Sequence, residues 1–344
     1  MHHRGGIMSS FHLHRGTNVG CWLSQSVARG AEREAQFTRE DVRRIAGWGF
    51  DHIRLPVDEV QLWDDAGQPE AAAWSLLDRA LDWCAEAGLR TVVDLHVLRT
   101  HSFDHSKRQP LFDNPREPAR FAGLWEQLSA HLGQRPTDLV AYELLNEPVA
   151  EDNADWNRVA KVAFAALRVR EPERTLVVGS NFYCIAKNFI DLWVPDDDRV
   201  ILTFHFYGPM FITHNRASWW EGGIYQGPVQ YPGRPIAEEH LPQVPEAIRH
   251  HLPAWNEPYG PEQMLRDMHN ALVVGEKTGK PLWCSEFGIC DPEPPLPRAL
   301  RLRWFNDLLG LFAQHHVAYA NWTYWNLRDA QGNASDILET VAKG

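Results

Sequence analysis

Thr91-Val92-Val93-Asp94-Leu95-His96-Val97 and Leu176-Val177-Val178-Gly179-Ser180 are nearly continuous apolar runs rich in β-branched residues. A strand with one face in water alternates apolar and polar residues. A run that is apolar at almost every position fits a strand covered on both faces, as in a parallel sheet packed by helices. Working outward, similar runs occur at His14–Gly20, His52–Val57, Arg90–Val97, Leu139–Asn146, Leu176–Asn181, Val200–Tyr207, Leu282–Gly288 and Tyr319–Trp325. Helical patterns lie between them. Thr38 is an N-cap for Arg39–Trp48, with Asp41 in the place of the capping-box Glu. Trp74–Ala87 carries apolar residues at helical spacing and ends at Gly88. Pro118–Leu132, Asp155–Arg170, Pro261–Thr278 and Pro297–His315 are further helices. Strand–helix alternation gives a parallel sheet, and eight rounds of it point to a closed (β/α)8 TIM barrel, an α/β fold.

The chain has 344 residues, which such a barrel fills as one domain, residues 1–344. One connection is too long for a plain loop. Residues 208–258, rich in Pro, Gly and aromatics, follow the sixth strand and read as an insertion or lid subdomain over the barrel's C-terminal mouth. Lys plus Arg is 34 against 45 Asp plus Glu, a net charge of −11. That balance lacks the footprint for nucleic acid or an anionic membrane. No run reaches the roughly 18 apolar residues of a membrane span. The N-terminal MHHRGGIMSSFHLH has no apolar signal-peptide core, so a cytoplasmic location is expected unless a leader has been removed. The five cysteines form no CxxC pair and read as isolated thiols. A monomer with neither metal nor cofactor is expected. The chain also has 15 Trp. About half belong to the core; the rest suit a flat-faced ligand that stacks on rings, a sugar above all.

In a barrel of this type the chemistry sits at the C-terminal ends of the strands. The fourth run ends in YELLNEP, with Asn146 and Glu147, and the seventh in WCSEFG, with Glu286. Two carboxylates at one mouth are what glycoside hydrolysis needs: one protonates the leaving oxygen, the other attacks or activates water. Arg54, His96, His205, Tyr207, Trp322 and Trp325 lie at other strand ends.

On these motifs the chain resembles glycoside hydrolase family 5, the retaining family that includes many cellulases. The matching pieces are RGTNVGCWLS, FDHIRLPV, VVDLH, ELLNEP, FHFYGP, SEFG and NWTYWN, in the family's order, from residue 15 to 326. It is more narrowly similar to compact bacterial endoglucanases of that family. The resemblance implies Glu147 as acid/base and Glu286 as nucleophile. It implies that Arg54 and Tyr207 hydrogen-bond the nucleophile, that His205 lies beside the acid/base, and that Asn146 meets the sugar 2-hydroxyl. His96 would line the site of the sugar under attack, with Trp325 as its stacking platform and Trp22 a weaker candidate one sugar out. Trp219 and Trp220 of the insertion would reach bound sugar. Val97 stands where many members have a second His, which leaves the glucan preference open.

The expected substrate is a β-1,4 or mixed β-1,3/1,4 glucan cut internally. The alternatives are an exo-β-1,3-glucanase, β-glucosidase or mannanase of the same family, or a carbohydrate-binding protein without catalysis. The second Asn-Glu-Pro, at Asn256-Glu257-Pro258, follows no buried strand and reads as loop. Asp94 reads as a structural polar residue deeper in the barrel. His101 and His105 read as loop residues at the substrate or on the surface rather than as metal ligands, and Asp196–Asp198 as a solvated turn.

Overall fold

The computed structural model describes residues 11–290, 294–329 and 331–344. Eight parallel strands close into a barrel: β1 (Arg15–Asn18), β2 (His52–Val57), β3 (Arg90–Leu95), β4 (Val140–Glu143), β5 (Leu176–Gly179), β6 (Val200–Phe206), β7 (Leu282–Phe287) and β8 (Ala318–Asn321). Each pairs with the next, and β8 returns to β1 through Gly16 opposite Ala320. The principal outer helices are α1 (Arg39–Gly47), α2 (Ala71–Glu86), α3 (Glu117–Leu132), α4 (Asn153–Arg170), α5 (Pro261–Thr278) and α6 (Arg298–Gln314). The alternation is not uniform. β5 is followed only by short turns, Asn181–Cys184 and the 3-10 segment Ala186–Asp191, and β8 by the short helix Leu338–Lys343.

Local chemistry fixes several of these ends. The capping box at α1 is complete: Thr38 accepts from the Asp41 N–H, and the Asp41 side chain accepts from the Thr38 N–H. α5 stops at Gly279, whose φ of 68° is left-handed, the conformation glycine adopts without a Cβ penalty. The helices bury apolar faces against the strands, and Trp74, Trp125, Trp156 and Trp304 are all within the core. Trp48 and Trp83 pack on it half-buried.

Two irregularities shape the mouth. Between β6 and β7 the register shifts after Phe204, which brings His205 level with Glu286. At β4 the paired strand ends at Glu143, four residues before Glu147. Glu147 then takes a φ of +41°, a conformation uncommon for a residue with a side chain and typical of functional sites.

Residues 208–258 gather around a cluster of their own, Phe211, Tyr225, Ile236, Val244 and Ile248, flanked by Trp220 and Trp255. Within this segment Asn256 is buried and clamps Ile236 through both backbone groups, at 2.7 and 2.9 Å. Its neighbour Glu257 is exposed, with Arg234 3.7 Å away. The second Asn-Glu-Pro is thus a loop staple. Among the described residues, no helix is long and apolar enough to cross a membrane.

Candidate active site

The mouth is organised around one guanidinium. Arg54, on β2, is fully buried. It donates to Glu143 through Nε at 2.7 Å and Nη2 at 3.0 Å. It reaches Asn18 Oδ1 at 3.1 Å and Asn146 Oδ1 at 2.9 Å, and Nη1 donates to Glu286 Oε1 at 2.5 Å. Asp94 Oδ2 stands 3.3 Å off. A buried cation must be paired and hydrogen-bonded to be tolerated, and here every arm of the fork has a partner.

Glu286, at the end of β7, is held at both oxygens, because the Tyr207 hydroxyl donates to Oε2 at 3.0 Å. Glu147 has no such clamp. Its Oε1 lies 2.8 Å from His205 Nδ1, and burial pushes its carboxyl up to about 7 against the opposing pull of His96 and Arg54. His205 Nδ1 is also 3.6 Å from Glu286 Oε2. One oxygen of each carboxyl and a His205 nitrogen all lie within 4.8 Å of one another, a donor set that a cation could also use. Burial keeps His205 and His96 neutral, each pushed down to about 4. Asn146, tied by its oxygen to Arg54, keeps its Nδ2 without a partner, a donor free for a ligand hydroxyl.

His96 is fixed by Asp94, whose Oδ2 is 3.0 Å from His96 Nδ1, and by Trp322, whose ring lies parallel to the imidazole at 5.5 Å and 4°. Trp322 directly follows β8. A Cβ on Gly20 would come within 2.6 Å of its ring, so only glycine lets β1's exit pass so close. Tyr207 is braced by the first turn of the insertion, where the His214 ring meets it edge-on at 5.1 Å and Thr213 Oγ1 donates to its carbonyl.

The structure thus brings together Arg54, His96, Asn146, Glu147, His205, Tyr207 and Glu286, and it departs from the sequence reading at the aromatics. Trp22 is wholly buried, its indole N–H donating to the Arg33 carbonyl at 2.8 Å and its ring against Phe37; it belongs to the core. The expected eighth strand ends at Asn321, and a 3-10 turn, Tyr324–Leu327, capped by Thr323, turns Trp325 aside. There its N–H is tied to Gly20 O at 2.6 Å, and Arg328 lies over its ring at 4.9 Å. Trp322, three residues earlier, is the ring beside His96. Trp220 packs on Phe211 and Trp255, each at 5.2 Å, whereas Trp219 is 73% exposed. His101 is not on the surface. It is buried against Phe112. Asp197 is not simply solvated, since Arg168 pairs with it at 2.8 Å.

Asn18 and Glu143 were not singled out from the sequence. Glu143 sits inside an apolar strand run, and its only signal was a charge where a barrel-facing residue should be apolar. All five cysteines are free, and only Cys21 is exposed.

Comparison with known proteins places the chain in a family. The model of the family described as Cellulase (glycosyl hydrolase family 5) matches residues 18–328. Endoglucanase C of Acetivibrio thermocellus is 32% identical over 317 residues, covering 90% of each chain. Cellodextrinase A of Ruminococcus flavefaciens is 30% identical, covering 91% of this chain and 85% of its own. Among solved structures, a hyperthermophilic endo-beta-1,4-glucanase in complex with substrate superposes with a TM-score of 0.77 at 18% identity, covering 97% of this chain and 99% of its own. The chain belongs to glycosyl hydrolase family 5, the cellulase family, and is a glycoside hydrolase.

Proposed function

We propose that the chain is an endo-acting β-glucanase on β-1,4 or mixed β-1,3/1,4 glucan, working by retaining double displacement with Glu147 as acid/base and Glu286 as nucleophile. The observation that carries this is the asymmetry of the two carboxyls. Glu286 is clamped by Arg54 and Tyr207, while Glu147 is half-buried beside His205 and raised to about 7. The carboxyl clamped at both oxygens is placed to attack, and the raised one beside His205 to give a proton. Their approach, with nearest oxygens inside 4.8 Å, suits the roughly 5–5.5 Å separation of retaining enzymes rather than the roughly 6.5–9.5 Å of inverting ones.

Glu286 attacks the anomeric carbon while Glu147 gives its proton to the departing glycosidic oxygen. A glycosyl ester on Glu286 forms and the glycosidic bond breaks. Glu147, now a carboxylate, takes a proton from water as that water attacks the same carbon, and Glu286 leaves. Trp322 is the platform under the reacting sugar, in place of Trp325, and the Asn146 Nδ2 donor meets its 2-hydroxyl. Residues 208–258 wall one side of the cleft, with Trp219 the ring that reaches sugar. The names of the relatives, endoglucanase and cellodextrinase, support a β-1,4-linked glucose polymer.

The test is product analysis on barley β-glucan, carboxymethyl-cellulose, laminarin and mannan, with proton NMR of the earliest products. Viscosity should fall ahead of reducing-end release on the first two, and the β-anomer should appear first. An α-anomer first would refute the mechanism, and activity confined to laminarin or mannan would refute the substrate.

A further inference from the structure

The insertion carries a second group of donor side chains. Glu221 opens the 3-10 turn Glu221–Ile224, and His250 and His251 close another, Glu246–His251. The insertion's own apolar cluster, with Ile248 in one turn and Tyr225 just after the other, holds the two turns side by side. One carboxylate oxygen of Glu221 and one ring nitrogen from each histidine lie within 4.8 Å of one another. His251 Nε2 already stands 3.3 Å from Glu221 Oε2.

An exposed ion pair would account for one imidazole and the carboxylate, and such a pair is worth little in water. It does not account for the second imidazole. The rings are also held in place: His251 stacks on Trp255 at 3.9 Å and 14°, and His250 leans on His251 at 3.8 Å and 40°. Ordered rings lose little rotamer freedom when they take a ligand. Arg249, the cation on the same turn, is occupied by Glu246 at 2.8 Å and by the Val244 carbonyl at 3.0 Å.

Two imidazoles and a carboxylate form a donor set suited to zinc and its first-row neighbours, and unsuited to calcium. Tetrahedral zinc with ligands at about 2.0–2.1 Å needs donors roughly 3.4 Å apart. Glu221 and His250, both exposed, have to close by only about an ångström or so to meet that spacing. We propose that Glu221, His250 and His251 bind a divalent zinc-type cation. With a water in the fourth position, that ion ties the turn next to Trp219 and Trp220 to the far end of the insertion.

The test is calorimetric titration of the full chain with zinc chloride, with His2, His3, His12 and His14 replaced by Gln in every arm to silence the N-terminal histidines. One equivalent should bind beyond any taken by Glu147, His205 and Glu286. Glu221→Gln and His250→Ala should each weaken it at least tenfold, while calcium chloride gives no binding heat. Neither residue packs in a core, so both variants should keep the parent's zinc-free activity on barley β-glucan. Zinc should also slow amide exchange across residues 219–224 in the parent and not in Glu221→Gln. No binding, equal affinity in parent and variants, or exchange unmoved by zinc would overturn the proposal.

Discussion

Arg54 explains why single residues at this mouth cannot be read in isolation. Its guanidinium serves Glu286, but Glu143 takes two of its N–H groups, and removing one partner of a buried pair leaves an uncompensated charge. Glu143→Ala should therefore destabilise the fold by about 3–5 kcal/mol, read by denaturant unfolding; a loss under about 1 kcal/mol would mean that Arg54 finds its place without Glu143. The two catalytic carboxyls separate by another measurement. Glu147 must be protonated to donate, so kcat/KM on glucan should fall as pH rises through about 7, the value to which burial raises it. Glu147→Ala should lose that alkaline limb on an activated aryl glycoside, whose leaving group needs little protonation. Azide should rescue its turnover as the β-glycosyl azide, and Glu286→Ala should instead give the α-azide. The reverse pattern would exchange the two roles. Glu147 and Glu286 were legible because each stands near the end of an apolar run where a charge has no structural excuse; Arg54 lies within β2, three residues before its end, and was legible through the IRLPV motif. Glu143 was not, because a charge inside such a run looks the same whether it binds a cation or water. Nor does the sequence distinguish Trp322 from Trp325, two rings three positions apart just beyond an unseen strand end.

Elements were legible where their signals are local. The Thr38–Asp41 box and the glycines after α2 and α5 mark helix ends by backbone chemistry confined to a few residues. Strand ends were less so, since burial continues beyond the ladder. Leu144 and Leu145 are as buried as any strand residue, yet lie outside β4, because loops cover the mouth. The register shift after Phe204 was invisible for a related reason: it depends on the partner strand. The insertion shows the same limit. Its aromatic richness was evident, but not which tryptophan faces out. Trp220 lies in the cluster with Phe211 and Trp255, and Trp219 does not. Trp219→Ala should thus raise KM on a cello-hexasaccharide by about 2- to 10-fold with kcat little changed, the loss of one stacking contact of about 0.5–1.5 kcal/mol. Trp220→Ala should loosen the insertion, seen as faster amide exchange around Tyr225 and Ile248. A normal KM for Trp219→Ala would remove the insertion from substrate binding.

At the scale of the whole molecule, closing the barrel buries an unusual number of titratable groups, and they pull stability in opposite directions. Burial pushes His96, His205 and His214 down to about 4 and His101 to about 3. Each stays neutral in the fold where the unfolded chain takes a proton near 6.5, so its contribution is present above about 6.5 and is lost as pH falls towards 4. Burial pushes Asp58 and Asp94 up to about 6 and Glu147 to about 7. Their contribution runs the other way, present below about 4 and lost as pH rises through 6 to 7. Burial raises the Glu143 carboxyl as well. Near pH 5.5, unfolding thus lets about four imidazoles take up a proton while about four carboxyls release one. The two sets nearly cancel, so the melting temperature should change little between pH 6.5 and pH 5. His101 allows the balance to be tested, because it is buried, has no hydrogen-bond partner on either ring nitrogen, and lies away from the reacting carboxyls' immediate contacts. His101→Leu leaves three imidazoles against four carboxyls, so its melting temperature should rise on acidification across the same range. A parent curve that rises or falls steeply on acidification would show one set dominant. A variant whose curve matches the parent's would show that His101 titrates alike in the folded and unfolded chain.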